Sequence, residues 1–206
     1  MLAHSTLMEA KMETKIDATV SRKRDVNMFA VLSHGNWSIL DRAKEKRDGY
    51  HYELMSCLMF AAFKHEAFIN HLGYKRIPNW DELERKPHWD KTAAIAASLN
   101  ITIDNGRRPF QTLRNLFRAR DQIAHGKPSH LEHDNVRETG DREEMRRKKP
   151  QTEWESLCTY EFAQRAYDDT EEIAETLWAA AGFDRDDLRS RGHEYTIANV
   201  TPSTTA

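Results

Sequence analysis

Hydrophobic and polar positions along this chain recur every three to four residues, the period of an amphipathic helix, and no stretch alternates long enough to predict a strand. After a polar start, the pattern predicts a first helix over about residues 17–46, with an interruption at Gly35. A second is predicted over residues 50–72 and stopped by Gly73, the residue that enters a left-handed conformation at least cost. A short helix follows Asn79, whose side chain and Glu82 three residues on read as a capping-box variant, and another covers residues 88–99. The next begins near Pro109, tolerated in a first turn, and ends at Gly126 with Pro128 beyond, leaving His125 at its carboxyl end.

Residues 129–150 are dense in charge, contain Arg146-Arg147-Lys148-Lys149 and offer few apolar side chains to bury, the composition of a mobile loop. Thr152 then caps a long amphipathic helix to about residue 181, with Glu155 in the capping-box position and a core stripe from Leu157 through Ile173 to Trp178 and Ala181. Gly182 ends it, and residues 183–206 become Arg/Asp-rich and then Thr/Ser-rich, as in a partly ordered tail. The expected fold is all-α: one domain over residues 1–182, a bundle of about five to six helices interrupted by the charged loop.

Composition narrows the function classes. Charged residues make up 31% of the 206 positions while the net charge is only -2, so no global basic field advertises a nucleic-acid partner and any RNA binding is local. Cys57 and Cys158 lack CxxC spacing, which points to a reducing compartment and to core positions instead of a zinc or disulfide framework. The amino terminus shows no uninterrupted apolar run of a secretion signal, and the longest apolar stretch, residues 54–63, falls short of the roughly 20 residues a bilayer needs. A cytoplasmic, soluble protein is expected. Phosphate-binding glycine loops, a nucleophile elbow and a Cys/His pair are absent from the sequence.

Candidate chemistry gathers on the helix that starts at Pro109. At about 100° per residue, Phe110, Leu113, Leu116, Phe117, Ile123 and Ala124 share one side, and Arg120 falls inside that apolar arc. A guanidinium there needs an anion, because an unpaired buried charge costs several kcal/mol. Glu66 lies on the apolar arc of the preceding helix with Met55, Met59, Phe63 and Ile69, so Glu66 and Arg120 are expected to pair. The pair either pins two helices or also presents the arginine to a substrate. The opposite side carries Arg114, Arg118, Asp121 and His125, with Asp121 at i−4 able to orient the histidine ring.

The most specific signal is Arg120-Asp121-Gln122-Ile123-Ala124-His125, an arginine and a histidine separated by four residues at a helix end. On these residues the chain resembles the HEPN superfamily, small helical domains of which many are metal-independent endoribonucleases in toxin, antiviral or RNA-processing systems. The resemblance extends over about residues 50–127: the segment from Phe63 to Gly73 looks like the glutamate-bearing helix, and Pro78-Asn79-Trp80, Pro109-Phe110-Gln111 and His125-Gly126-Lys127-Pro128 follow in the family's order. Asp121 stands where Asn is commonest, and Lys127 occupies the position that is a modified tyrosine in one subset, so that modification is not expected here.

The resemblance implies Arg120 and His125 as catalytic residues, with Asp121 orienting and Glu66 supporting. RNA cleavage without a metal requires a base at the 2′-hydroxyl, an acid at the departing 5′-oxygen and positive charge at the phosphorane. Histidine can perform either proton transfer and arginine can hold phosphate oxygens in a bidentate fork. The wheel leaves Arg120 and His125 about 140° apart, which either a distorted last turn or a two-fold dimer would overcome; the resemblance implies a homodimer whose two motifs line one cleft, and that is expected here. Arg107, Arg108, Arg114, Arg118 and Lys127 would contact phosphates along that cleft or simply form a solvated face. The run Arg146 to Lys149 clamps RNA or serves solubility, and Trp80, Trp89 and Trp154 stack on bases or sit at core edges. His125, His130 and His133 lack a readable ligand pattern, so no metal and no cofactor are expected. The alternative is a non-catalytic helical module that pairs with a nucleotidyltransferase, a nuclease, another effector or a second copy of itself, whereas an antitoxin partner belongs to the toxin setting.

Overall fold

The computed structural model describes residues 18–132 and 139–200. Nine helices form within the described residues: α1 (Met28–Ala43), α2 (Tyr50–Arg76), α3 (Asp81–Glu84), α4 (His88–Ser98), α5 (Phe110–Ala124), α6 (Arg142–Arg147), α7 (Glu153–Leu157), α8 (Tyr160–Ala180) and α9 (Arg185–Arg189). Two strands, β1 (Ala18–Arg24) and β2 (Glu194–Val200), complete the order. The chain is therefore mostly helical, with one small two-stranded sheet among the described residues. Residues 18–26 and 192–200 make a compact unit distinct from the helical unit of residues 27–191.

In the strand unit, β1 and β2 run antiparallel with Ala18 opposite Val200 and Arg24 opposite Glu194, and the Asp25 N–H donates to the His193 carbonyl at 2.9 Å. The first predicted helix therefore starts later than expected, at Met28, and the segment read as a tail contributes α9 and β2. Polar alternation in two strands of seven residues is too short a signal to separate from a loop, because the pairing partner lies at the other end of the sequence.

In the helical unit, α2 is the central element, packed by α1, α8, α4 and α5. Neighbours on several sides explain why its buried residues, among them Leu54, Leu58, Ala61, Phe68 and Leu72, spread round the helix instead of forming one stripe. The helix does not stop at Gly73. It continues to Arg76 because the Trp80 indole closes over Gly73, so tightly that a Cβ there would lie 2.4 Å from ring carbons. The expected cap at Asn79 does not form either; Asn79 adopts φ 58 and α3 opens after Trp80 without a side-chain cap.

The capping box predicted at Thr152 and Glu155 forms in both directions. Its helix is only α7, however, because the helix ends at Cys158 and Thr159 caps α8 afresh. Gly182 follows α8 with φ 78, as its predicted stopping role requires. Part of the presumed loop, residues 142–147, is α6, capped by Asp141; residues 133–138 of that loop lie outside the described residues. No helix among the described residues is long and apolar enough to cross a membrane.

A buried charge network joins α2 to α8 and α9. Lys64, fully buried, donates to Glu171 Oε1 at 2.8 Å, Ser33 Oγ donates to the same oxygen at 2.6 Å, and Arg189 Nη1 lies 2.7 Å from Glu171 Oε2. Burial pushes the Lys64 ammonium down to about 8, opposed by Glu171, while Glu171 is lowered overall because its cationic partners outweigh its own desolvation.

Candidate functional site

The amphipathic pattern of α5 directs Leu113, Leu116 and Phe117 into the core and brings Arg120 one turn later to the same side. There its Nη2 meets Glu66 Oε1 on α2 at 2.7 Å, the pair that the two apolar arcs predict. Its guanidinium carbon stands 5.2 Å from the Phe117 ring centroid, within cation–π range. Arg120 Nη1 is 2.8 Å from Asp121 Oδ1, so both ends of the fork carry a carboxylate.

In this structure the Asp121 side chain turns to Arg120 and not to the His125 ring. Its carboxylate bonds Arg120, and its link to His125 is a backbone one, from the His125 N–H to the Asp121 carbonyl at 2.9 Å. The long arginine arm reaches round to its neighbour, which a wheel of Cβ directions does not show.

His125 caps the carboxyl end of α5 and is exposed. It lines an open cavity of about 430 Å³ with Gln122, Lys127, Leu131, Glu153 and Trp154. Arg120 does not line this cavity, in keeping with the angular separation of the two motif residues on the helix.

The basic residues divide. Arg108 is bound to the buried Asp169 on α8 through Nε at 3.0 Å and Nη2, and Arg118 Nη2 lies 2.7 Å from Glu153 Oε1. Arg108 ties the turn before α5 to α8, and Arg118 ties α5 to α7. Arg107 lies 3.7 Å from Asp104, while Arg114 and Lys127 are exposed and enter no ion pair among the described residues. Gln122 Nε2 donates to Glu153 Oε2 at 2.9 Å, so both Glu153 oxygens face α5.

Two histidines around Arg120 escaped sequence reasoning. His88 stacks on Phe117 with ring centroids 3.4 Å apart and planes at 11°, and burial first, then the Arg120 charge, push it down to about 4. His65, fully buried, meets the same ring edge-on at 5.8 Å and is pushed down to about 3 by burial. Thr92 Oγ1 donates to the His88 carbonyl at 2.8 Å and therefore accepts from His65 Nε2 at 3.2 Å, which places the His65 proton on Nε2 and leaves Nδ1 bare. The signal was present: His88 precedes Thr92 by four residues on α4, hence shares its buried face, and His65 adjoins Glu66.

His130 pairs with Glu132 at 2.7 Å, and His133 lies outside the described residues. Among the described residues no group of three His, Cys, Asp or Glu side chains is placed to hold a metal ion. Of the three tryptophans weighed as base-stacking candidates, Trp80 is buried over Gly73, Trp89 leans on His88 at 5.0 Å, and Trp154 faces the His125 cavity. Comparison with protein-family models, curated proteins and solved structures gave no match to this chain.

Proposed function

We propose that this chain is a HEPN-type endoribonuclease that cleaves RNA by 2′-hydroxyl attack without using a metal, in a toxin, antiviral-defence or stress setting. The observation that carries this reading is an arginine anchored by Glu66 across two helices, followed five residues later by His125, exposed on the wall of an open cavity. His125 takes the 2′-hydroxyl proton or returns one to the 5′-oxygen. The 2′-oxygen attacks phosphorus, the P–O5′ bond breaks, and the products end in a 2′,3′-cyclic phosphate and a 5′-hydroxyl. Arg120 supplies positive charge to the phosphorane, and Lys127 and Arg114 hold flanking phosphates.

Because Arg120 and His125 face different sides of α5, a two-fold homodimer completes the cleft, one protomer's histidine acting beside its partner's arginine. Cleavage of end-labelled RNAs, tRNA included, in excess EDTA tests the reading. Wild type yields 2′,3′-cyclic ends, and His125→Ala and Arg120→Ala do not. Equal cleavage by all three proteins, or none by wild type, overturns it.

One observation favours a second reading, a non-catalytic helical dimerisation or effector-binding module. Both terminal nitrogens of Arg120 are occupied by carboxylates, Glu66 and Asp121, the arrangement of a structural clamp. That module predicts partner binding that depends on Arg120 and is indifferent to His125→Ala.

A further inference from the structure

We infer that Trp154 is a stacking platform for one unpaired RNA base, a subsite next to the phosphate that His125 addresses. The inference rests on the ribonuclease reading and deepens it. The cavity of about 430 Å³ that holds His125 has the size of a small-ligand site, about 300–1,000 Å³, and so admits a single nucleotide. Its walls combine one large aromatic surface, Trp154, with the aliphatic Leu131 and the exposed cation of Lys127.

Charge on the walls suits an anionic strand. Glu153, the carboxylate among the lining residues, has one oxygen 2.7 Å from Arg118 and the other accepting from Gln122, whereas Lys127 enters no ion pair among the described residues. A nucleotide whose phosphate lies at Lys127 and His125 therefore meets cation and imidazole, and its base meets the indole.

The platform is also held in place. Thr152 and Glu155 form a reciprocal capping box at the turn that carries Trp154, and the indole is partly buried against the core and rests on His51 at 5.9 Å. A preorganised aromatic face loses little freedom when a base settles on it. Stacking of this kind tolerates any base but favours the larger purine ring, and it demands an unpaired base, so single strands are preferred over duplex.

The test uses the full chain and a fluorescent single-stranded RNA with 2′-O-methyl groups, which binds but cannot be cut, beside its duplex form. Anisotropy should show tighter binding of the single strand, about ten-fold loss with Trp154→Leu and near wild-type binding with Trp154→Phe. Photocrosslinking of a 5-bromouridine version to the wild-type protein should map to Trp154, a readout independent of any variant's stability. With cleavable RNA, the purine preference beside the cut should vanish in Trp154→Leu and persist in Trp154→Phe.

Unchanged binding by Trp154→Leu, crosslinks elsewhere, equal duplex binding or no RNA binding at all overturns the subsite. If cleavage still depends on His125 in those cases, the ribonuclease reading survives alone. Trp154-dependent binding with no cleavage sustains the subsite and removes the catalytic reading.

Discussion

Glu66 and Arg120, 54 residues apart in sequence, are joined by a 2.7 Å ion pair that links α2 to α5 with the arginine 18% and the glutamate 29% exposed. Such partial burial places the pair between a solvent-screened bridge and a desolvated one. Glu66→Ala is expected to lower stability by about 1–2 kcal/mol, since Asp121 still holds the other arm of the arginine. Urea unfolding of Glu66→Ala, Arg120→Ala and the double variant measures the coupling; a coupling energy near zero would remove the clamp.

Lys64 presents the stronger case, because its side chain has no exposure at all. Lys64→Met leaves Glu171 largely buried and short of one cation, and a loss of about 3 kcal/mol or more is expected. Adding Glu171→Leu should recover part of it, since Arg189 keeps Glu175 as a partner. A double variant no more stable than Lys64→Met contradicts this account.

Gly73→Ala pits helix propensity against packing. Alanine gains about 1 kcal/mol inside a helix, but its Cβ would stand 2.4 Å from the rigid indole of Trp80, and overpacking costs about 1–3 kcal/mol or more. The net sign is destabilising, and thermal unfolding should show a lower Tm for the variant.

His65 makes stability pH-dependent. In the native state burial holds it neutral down to about 3, whereas the unfolded imidazole takes up a proton near 6.5. The unfolded state therefore binds more protons as pH falls below about 6.5, and stability present above that value is lost at about 1.4 kcal/mol per unit for one such group. His88 and His71 are displaced in the same direction and add to the slope. Chemical denaturation between pH 6.5 and 5 should show a shallower fall for His65→Leu than for wild type.

Cys57 and Cys158 are pushed up to about 12 and about 11 by burial, and neither forms a disulfide. Both should resist iodoacetamide in the native protein at pH 8 and react fully in urea, as followed by intact mass.

By itself the sequence determined what local periodicity and spacing control. The apolar arc of α5 turned Arg120 inward, the corresponding arc of α2 selected Glu66 as its anion, and Thr152 with Glu155 announced the start of α7. Each depends on residues within a few turns of one another, or on two faces that must both be buried. Tertiary structure decided the rest. Trp80 carried α2 through Gly73, the two ends of the described chain found each other as β1 and β2, and Asp121 served Arg120 instead of the His125 ring. His65 and His88 came to frame Phe117, and Trp154 was brought to His125. The reason is that a helical period states which side of an element is apolar, while the identity and reach of the group that covers it come from segments far away in the chain.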